Sequence, residues 1–389
     1  MSYENIIAMN RKNLVQFSSL ISSRAIYALN WYNISPLYIF IESSLAIPLA
    51  QLGEIPTAFL LGAGIFQIPA GLVAAKIGNK KVSLIGIYLL SIMAIMSGIS
   101  WNLPSILFFR FMVGVGAAMY FSPALGIIKN VFSDKNRGLA MGFYNGAFNF
   151  GAGVGLALWN IIAILAGWRW ALVIGGIIGI AISIENHITL PKDEKISVKV
   201  NWKSVLFNKD IWFLGLSLAG FWGAFFASAQ FLSPYLVKER GMNADLAGVI
   251  SSITLIAGAF GGPLIGMVSD RLKKRKTFMI LLTIVMALLI STIFLSNIVT
   301  IWIYTALLGL LSAGIFSILY AIPAGYEGIS DRLLPLSIAL INSIQISVGS
   351  LAPYIFTFTA AKFSFTFAWI ALGIFLMVFL PFSFFAKDG

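Results

Sequence analysis

The sequence is built from long uncharged apolar runs, each about as long as a lipid bilayer is thick. Twelve of them recur along the 389 residues: 17–40, 55–75, 82–100, 105–128, 138–162, 169–190, 211–236, 246–269, 277–296, 299–322, 335–359 and 364–386, here segments one to twelve. A bilayer's hydrocarbon core is about 30 Å thick, and a helix needs roughly 20 apolar residues to cross it. In hydrocarbon every backbone N–H and C=O must bond within the structure, so each run is expected to be a helix. Barrel strands would alternate polar and apolar residues, whereas these runs are apolar around the whole circumference. The apolar share is 59% and the charged share 10%, against about 45–50% and about 25% in soluble domains. A soluble fold, a disordered chain and a collagen are thereby excluded. The expected fold class is all-α: a polytopic membrane protein with twelve transmembrane helices. There is no cysteine, which excludes disulfide and thiolate chemistry. A single histidine, His187, argues against a histidine metal site. The polar first dozen residues show no cleavable signal pattern.

The charged residues number 26 basic and 14 acidic, a net +12. Their placement explains the excess. With the N-terminus inside, twenty basic residues fall on the cytoplasmic side, among them Arg11, Lys80, Lys81, Lys192, Lys203, Arg275 and Lys387. Four fall outside: Arg169, Lys238, Arg240 and Lys362. Basic loops stay cytoplasmic, so both termini are expected there, in the plasma membrane. The charge requires no nucleic-acid partner.

The chain repeats itself. Segment two runs into Gly71-Leu72-Val73-Ala74-Ala75-Lys76-Ile77-Gly78-Asn79-Lys80-Lys81, and segment eight into Gly266-Met267-Val268-Ser269-Asp270-Arg271-Leu272-Lys273-Lys274-Arg275-Lys276, 195 residues later. Ser133-Asp134 and Ser330-Asp331, and Asn145 and Asn342, are each offset by 197. The longest polar stretch, 191–210, lies between the copies. Residues 1–190 and 211–389 are therefore expected to be two six-helix bundles joined by a cytoplasmic linker. In transporters such a parallel duplication places the site at mid-membrane between the repeats.

These residues resemble the major facilitator superfamily along essentially the whole chain. That family carries a glycine, an aspartate, a basic residue, a second glycine and further basics in the loop after segment two. Gly266, Asp270 and Arg271 fit it in the second half, with Lys273 at the second glycine; Gly71, Lys76 and Gly78 fit in the first half, with Ala75 at the aspartate. Arg110-Phe111-Met112-Val113-Gly114 in segment four and Gly167-Trp168-Arg169 before segment six are also similar to family patterns. The resemblance implies alternating access, with these loops as gates. Asp270 can cap a helix N-terminus and pair with Arg137 at the start of segment five; the other reading is that the basic loop only sets topology. Gly142, Gly151 and Gly155 match a segment-five motif seen in exchangers, but Leu156 stands where proline follows. The i, i+4 glycines Gly142/Gly146, Gly151/Gly155 and Gly262/Gly266 are expected at close helix contacts.

A charge in mid-membrane costs at least about 2.5–3.5 kcal/mol, so charges within segments are functional candidates. Arg24 in segment one and Arg110 in segment four are the two basic ones. They either face a cavity or snorkel to water; the resemblance implies the cavity for Arg110. No Asp or Glu lies at a segment centre. Three readings follow: a uniporter or exchanger, proton coupling through Glu42 or Glu54 at the outer end, or coupling through the substrate's own proton. Amides recur with helical spacing at Asn30/Asn33, Asn145/Asn149 and Asn342/Gln345, with Gln230 and Trp222 in segment seven. With Arg110 and the aromatics Tyr32, Tyr144 and Tyr320 they either bind a polar solute or bond between helices. Pro36 is expected to break segment one. Trp101, Trp168, Trp170, Trp202, Trp212, Trp302 and Trp369 are expected at the membrane interfaces.

The expected function is secondary or facilitated transport of a small organic anion. The alternatives are export of amphiphilic or drug-like compounds, and a non-transporting sensor. No acid–base or nucleotide motif points to an enzyme or a pump. A monomer in lipid, binding a small molecule and needing no cofactor, is expected, with protons as the candidate coupling ion.

Overall fold

The computed structural model describes residues 11–132, 134–193, 202–272, 275–326, 329 and 333–387. The described residues are helical throughout, without a strand. Every apolar run falls on one helix or on successive helical pieces. Among the described residues, nine stretches of helix are long and apolar enough to cross a membrane, or ten with one bent pair.

The broken segments have a common cause. Proline cannot donate to the carbonyl four residues earlier, and its ring pushes that carbonyl aside. Segment one is helical over Arg11–Trp31, turns through a short 3-10 helix Ser35–Leu37 and resumes as Tyr38–Leu45; the break lies at Tyr32, four residues before Pro36. Segment two divides into Glu54–Ile65 and Gln67–Ile77 at Phe66, three residues before Pro69, with a 41° bend between Leu49–Ile65 and Gln67–Ile77. Segment eleven divides into Leu334–Gly349 and Leu351–Lys362 at Ser350, three residues before Pro353. Other prolines, Pro123, Pro234 and Pro263, sit inside unbroken helices, where neighbouring groups satisfy the freed backbone.

Packing repeats with a shift of six segments. Segments one and five pair as do seven and eleven; two and four as eight and ten; three and four as nine and ten; three and six as nine and twelve. Contacts between the two sets come from segments one with seven, two with eleven, and five with eight. Segment seven is the most enclosed: 83% of its apolar window is buried within the protein.

The tryptophans divide differently from the expected belt. Trp101, Trp170 and Trp212 are exposed, but Trp168 and Trp369 are buried. Trp369 packs against Tyr235 and Phe356, with ring centroids 5.4 and 4.8 Å apart. Its neighbours lie on segments seven and eleven, so it fills a helix junction instead of reaching the headgroups. Trp202 has no described side chain.

One tie in the first six segments comes from a residue that the sequence did not mark. Asp193, just after segment six, accepts hydrogen bonds from the backbone N–H groups of Lys80 (2.7 Å) and Lys81 (3.1 Å) at the start of segment three. Lys80 Nζ returns a bond to the carbonyl of Leu190 (2.7 Å). A carboxylate at a helix N-terminus meets orphan donors and the positive dipole end. Gly78 turns the chain with φ +107°, and a Cβ there would collide with Asp193. Ala75 leaves the loop without its own carboxylate, and Asp193 supplies a helix cap from the far end of the bundle. Asp193→Ala is expected to destabilise the protein by ~1 kcal/mol, read as a lower melting temperature in detergent; an unchanged melting temperature would show that the cap contributes nothing.

Candidate functional site

Two buried guanidinium groups lie among the first six segments, in opposite circumstances. Arg110 is 1% exposed. Its Nη1 donates to Asn33 Oδ1 (3.1 Å) and its Nη2 to the carbonyl of Asn30 (3.4 Å). Asn33 Nδ2 donates to Asn30 Oδ1 (3.1 Å), and Asn30 Nδ2 to the carbonyl of Ile26 (2.9 Å). All of this happens at the break of segment one. The last carbonyls of Arg11–Trp31 are the negative end of a helix dipole, and Arg110 meets them there with Phe59 under its guanidinium at 4.8 Å. Arg110, Asn30 and Asn33 thus bind one another and hold the broken helix.

Arg24 is 6% exposed and, among the described residues, makes no ion pair and no hydrogen bond to an amide side chain. Four rings surround its guanidinium: Tyr27, Phe121 and Tyr144 with centroids at 4.8 Å, and Phe148 at 4.5 Å. Two of its nitrogens, Nε and Nη1, are buried without a hydrogen-bond partner, as are Tyr144 Oη and Trp31 Nε1. Tyr27 and Tyr144 are buried, whereas Phe121 and Phe148 are partly exposed. Cation–π attraction of about 0.5–2 kcal/mol per ring offsets part of the burial, but ring faces accept no N–H bond of the strength a carboxylate does. Neither arginine snorkels; the helices around them close off the route to water.

The other candidates fall into distinct places. Gln230 spans the two sets: its Nε2 donates to the carbonyl of Trp31 (3.2 Å), and Tyr38 Oη donates to its Oε1 (3.4 Å). Trp222 stacks on Phe226 at 5.1 Å, and Tyr32 lies at 5.4 Å from the same ring. Gln345 Nε2 donates to Asn342 Oδ1 (2.7 Å), leaving Gln345 Oε1 buried and unpartnered. Asn145 is exposed, and Asn149 faces Gly258 of segment eight. The side chains of Tyr320, Arg137 and Asp270 lie outside the described residues. Arg271 and Lys76 are exposed, and Gly266 abuts Ser317 of segment ten.

The three pairs of facing segments touch at one end and part at the other. Segments one and seven carry the Glu42–Lys238 ion pair, then the Ser35 Oγ bond to the carbonyl of Gln230 (2.7 Å), then Trp31 against Trp222 at 5.9 Å. Segments two and eleven are tied by Gly53 N to Thr357 Oγ1 (3.1 Å), Thr57 Oγ1 to the carbonyl of Ser350 (2.7 Å) and Ser343 Oγ to that of Gly64 (2.7 Å). Segments five and eight join through Asn160 Nδ2 and Asp245 Oδ1 (3.1 Å) and stay close as far as Asn149 and Gly258. Beyond these points Gly71, Gly142 and Gly146 face open space. The expectation of close contact at Gly142/Gly146 is thus not met in this conformation, whereas Gly151 lies against the backbone of Ala25. Arg24 lies seven residues, about 10 Å along the helix, beyond Trp31, whose ring meets Trp222 and Phe226 of segment seven.

A profile described as Major Facilitator Superfamily matches residues 20–325 and, in a second match, 228–388. Among curated relatives, a probable L-galactonate transporter of Escherichia coli (strain K12) is 24% identical over 255 residues, covering 60% of this chain and 56% of its own. The probable galactarate/D-glucarate transporter GarP of the same organism is 26% identical over 299 residues, covering 66% and 67%. The probable nitrate transporter NarT of Staphylococcus haemolyticus is 28% identical over 254 residues, covering 64% and 65%. The chain therefore spans between about half and two thirds of these relatives. A solved bacterial homolog to the human lysosomal transporter Spinster, inward-facing and occupied, superposes with a TM-score of 0.80 at 18% identity over 97% of both chains.

Glu42→Gln removes the ion pair at the closed end. A part-exposed pair is worth up to about 1 kcal/mol, so the population open at that end is expected to rise by up to about fivefold. The cysteine-free chain permits spin labels on cysteines introduced at Ser43 and Glu239, and pulsed distance measurements read the change. An unaltered distance distribution would show that the pair does not hold the gate.

Proposed function

The chain belongs to the major facilitator superfamily, and from that premise we propose that it is a secondary carrier for a small organic anion, with Arg24 as its anchoring charge. The observation that carries the reading is the Arg24 guanidinium, buried, boxed by rings, with Nε and Nη1 unpartnered. A planar fork of N–H donors matches a carboxylate or another planar anion, and bringing one there supplies the acceptors that the protein does not. Relatives named for galactonate, galactarate or glucarate, and nitrate support an anion over a cationic drug.

Twelve spans, two six-helix halves and cytoplasmic termini complete the reading. The twenty-to-four split of basic residues supports that orientation, which makes the end with Glu42 and Lys238 the outer one. The conformation then faces the cytoplasm, where Gly71, Gly142 and Gly146 stand apart from the other half. Transport consists of rocking the halves about the level of Arg24. Arg110 serves by holding the broken segment one beside the site, and its loss is read as instability together with weaker transport.

The test is anion counterflow in liposomes holding the purified protein. Arg24→Lys keeps the charge and loses the planar fork; its transport rate is expected to fall at least about tenfold, and that of Arg24→Ala about a hundredfold, with unchanged melting temperatures. Anion exchange by Arg24→Ala at the wild-type rate, or transport of cationic dyes in place of anions, would overturn the proposal.

A further inference from the structure

Segments two and eleven both break where the two halves touch, and proline alone does not explain it. Pro69 and Pro353 each follow a break by three residues, yet Pro123, Pro234 and Pro263 leave their helices continuous. At each break a hydroxyl from the other half binds a main-chain carbonyl. Ser343 Oγ of segment eleven donates to the carbonyl of Gly64 (2.7 Å), in the last turn before Phe66. Thr57 Oγ1 of segment two donates to the carbonyl of Ser350 (2.7 Å), the residue between the two pieces of segment eleven. Carbonyls at a helix end lack the regular helical partner, and each half supplies a donor at the other's interruption. The break of segment one differs, being held from within its own half as well, by Arg110.

The contact face of segment two is a single stripe. Gly53, Thr57, Gly64 and Gly71 follow one another at four, seven and seven residues, which a helix of 3.6 residues per turn places on one side. The first three meet segment eleven at Thr357, Ser350 and Ser347. A Cβ on Gly64 would lie 2.4 Å from Ser347 Oγ, 2.6 Å from its N and 3.0 Å from its Cα. The last two are backbone atoms, so no change of rotamer relieves the clash. Gly71 continues the stripe, and a Cβ there would meet nothing within 4 Å. The 41° bend thus separates the packed positions of the stripe from its open one.

We infer that the bends at Phe66 and Ser350 belong to the shut state of this end and relax when it opens, with Gly64 and Ser343 as positioning residues that set the balance between the two states. The inference rests on the carrier reading above and adds what changes within each half: two helices alter shape at the contact while the halves rock. Proline eases a bend at these places, and the opposite half's hydroxyl and close backbone decide whether the bend is held. Alanine is a better helix former than glycine, so the methyl of Gly64→Ala leaves segment two intact as a helix and opposes closure.

The experiment is pulsed distance measurement on the full chain in liposomes, with spin labels on cysteines introduced in pairs into the cysteine-free sequence. Gln51 and Tyr354, both exposed, report the gate between the two segments; Gln51 and Lys76 span the bend of segment two. Ser343→Ala is expected to raise the ratio of open to shut gate about fivefold, and Gly64→Ala about tenfold or more. In the open population the distance from Gln51 to Lys76 is expected to lengthen by about 2 Å as the bend relaxes. Gly71→Ala, on the same stripe beyond the bend, is expected not to raise the ratio. Thr57→Val, which removes the reciprocal hydroxyl, gives the same comparison if Gly64→Ala does not fold. Unchanged distances in Ser343→Ala and Gly64→Ala overturn the inference. A gate that opens while the distance from Gln51 to Lys76 stays fixed also overturns it, since Pro69 alone would then hold the bend. These distances are read without a substrate, so they and the anion reading, which counterflow tests, fail separately.

Discussion

A guanidinium cannot stay charged inside an apolar protein unless something replaces the water it has lost. The first six segments meet that constraint in two ways. At Arg110 they break a helix, so that carbonyl and amide oxygens of segment one accept the terminal N–H groups. At Arg24 they provide four ring faces and leave two N–H-bearing nitrogens without an acceptor. The first arrangement occupies both terminal nitrogens, leaves Nε unpartnered, and reads as architecture. On the proposed function an anion completes the second, which would give a ligand energetic leverage over the helices that carry the rings.

That leverage falls at the right place. Tyr27, Tyr144, Phe121 and Phe148 come from segments one, four and five, and their neighbour Trp31 leans on Trp222 and Phe226 of segment seven. Above this level the facing segments are stitched by hydrogen bonds and one ion pair; below it their glycines meet nothing. A ligand that orders the aromatic layer therefore acts at the pivot between two arrangements. The exposed ion pair contributes little by itself, so the closed end is held by several weak ties, which suits a gate that must reopen.

Much of the fold was legible in the residues. Apolar run length gave the helices, and Pro36 gave the break in segment one, because a proline's effect on the carbonyl four residues back is local; the breaks before Pro69 and Pro353 belong to the structure, since Pro123, Pro234 and Pro263 leave their helices unbroken. Of the candidate residues, Arg24, Tyr144, Trp222 and Tyr32 lie along one run of ring contacts. Their roles were not legible. Arg110 carried the family pattern yet is bound to Asn30 and Asn33 and leaves Nε alone unpartnered, whereas Arg24, with no motif around it, leaves both Nε and Nη1 without a hydrogen bond. Asp193 gave no signal, since it sits in a lysine-rich linker more than a hundred residues from the amides it caps. Trp369 carries the composition of an interface residue and ends in a helix junction. In each case the deciding partner is remote in sequence.

The sequence by itself determined the membrane class, the helical segments, their six-by-six repetition in motif and the shortage of acidic groups inside them. Those properties follow from solvation and backbone bonding, which each segment settles on its own. The tertiary structure alone decided which arginine binds both its terminal nitrogens to segment one and which leaves Nε and Nη1 unpartnered, which end of the molecule is shut, and which rings share a wall. Hydrogen-bond partners and ring contacts are set by how helices pack against one another, and an apolar helix surface leaves many such packings open to the residues it carries.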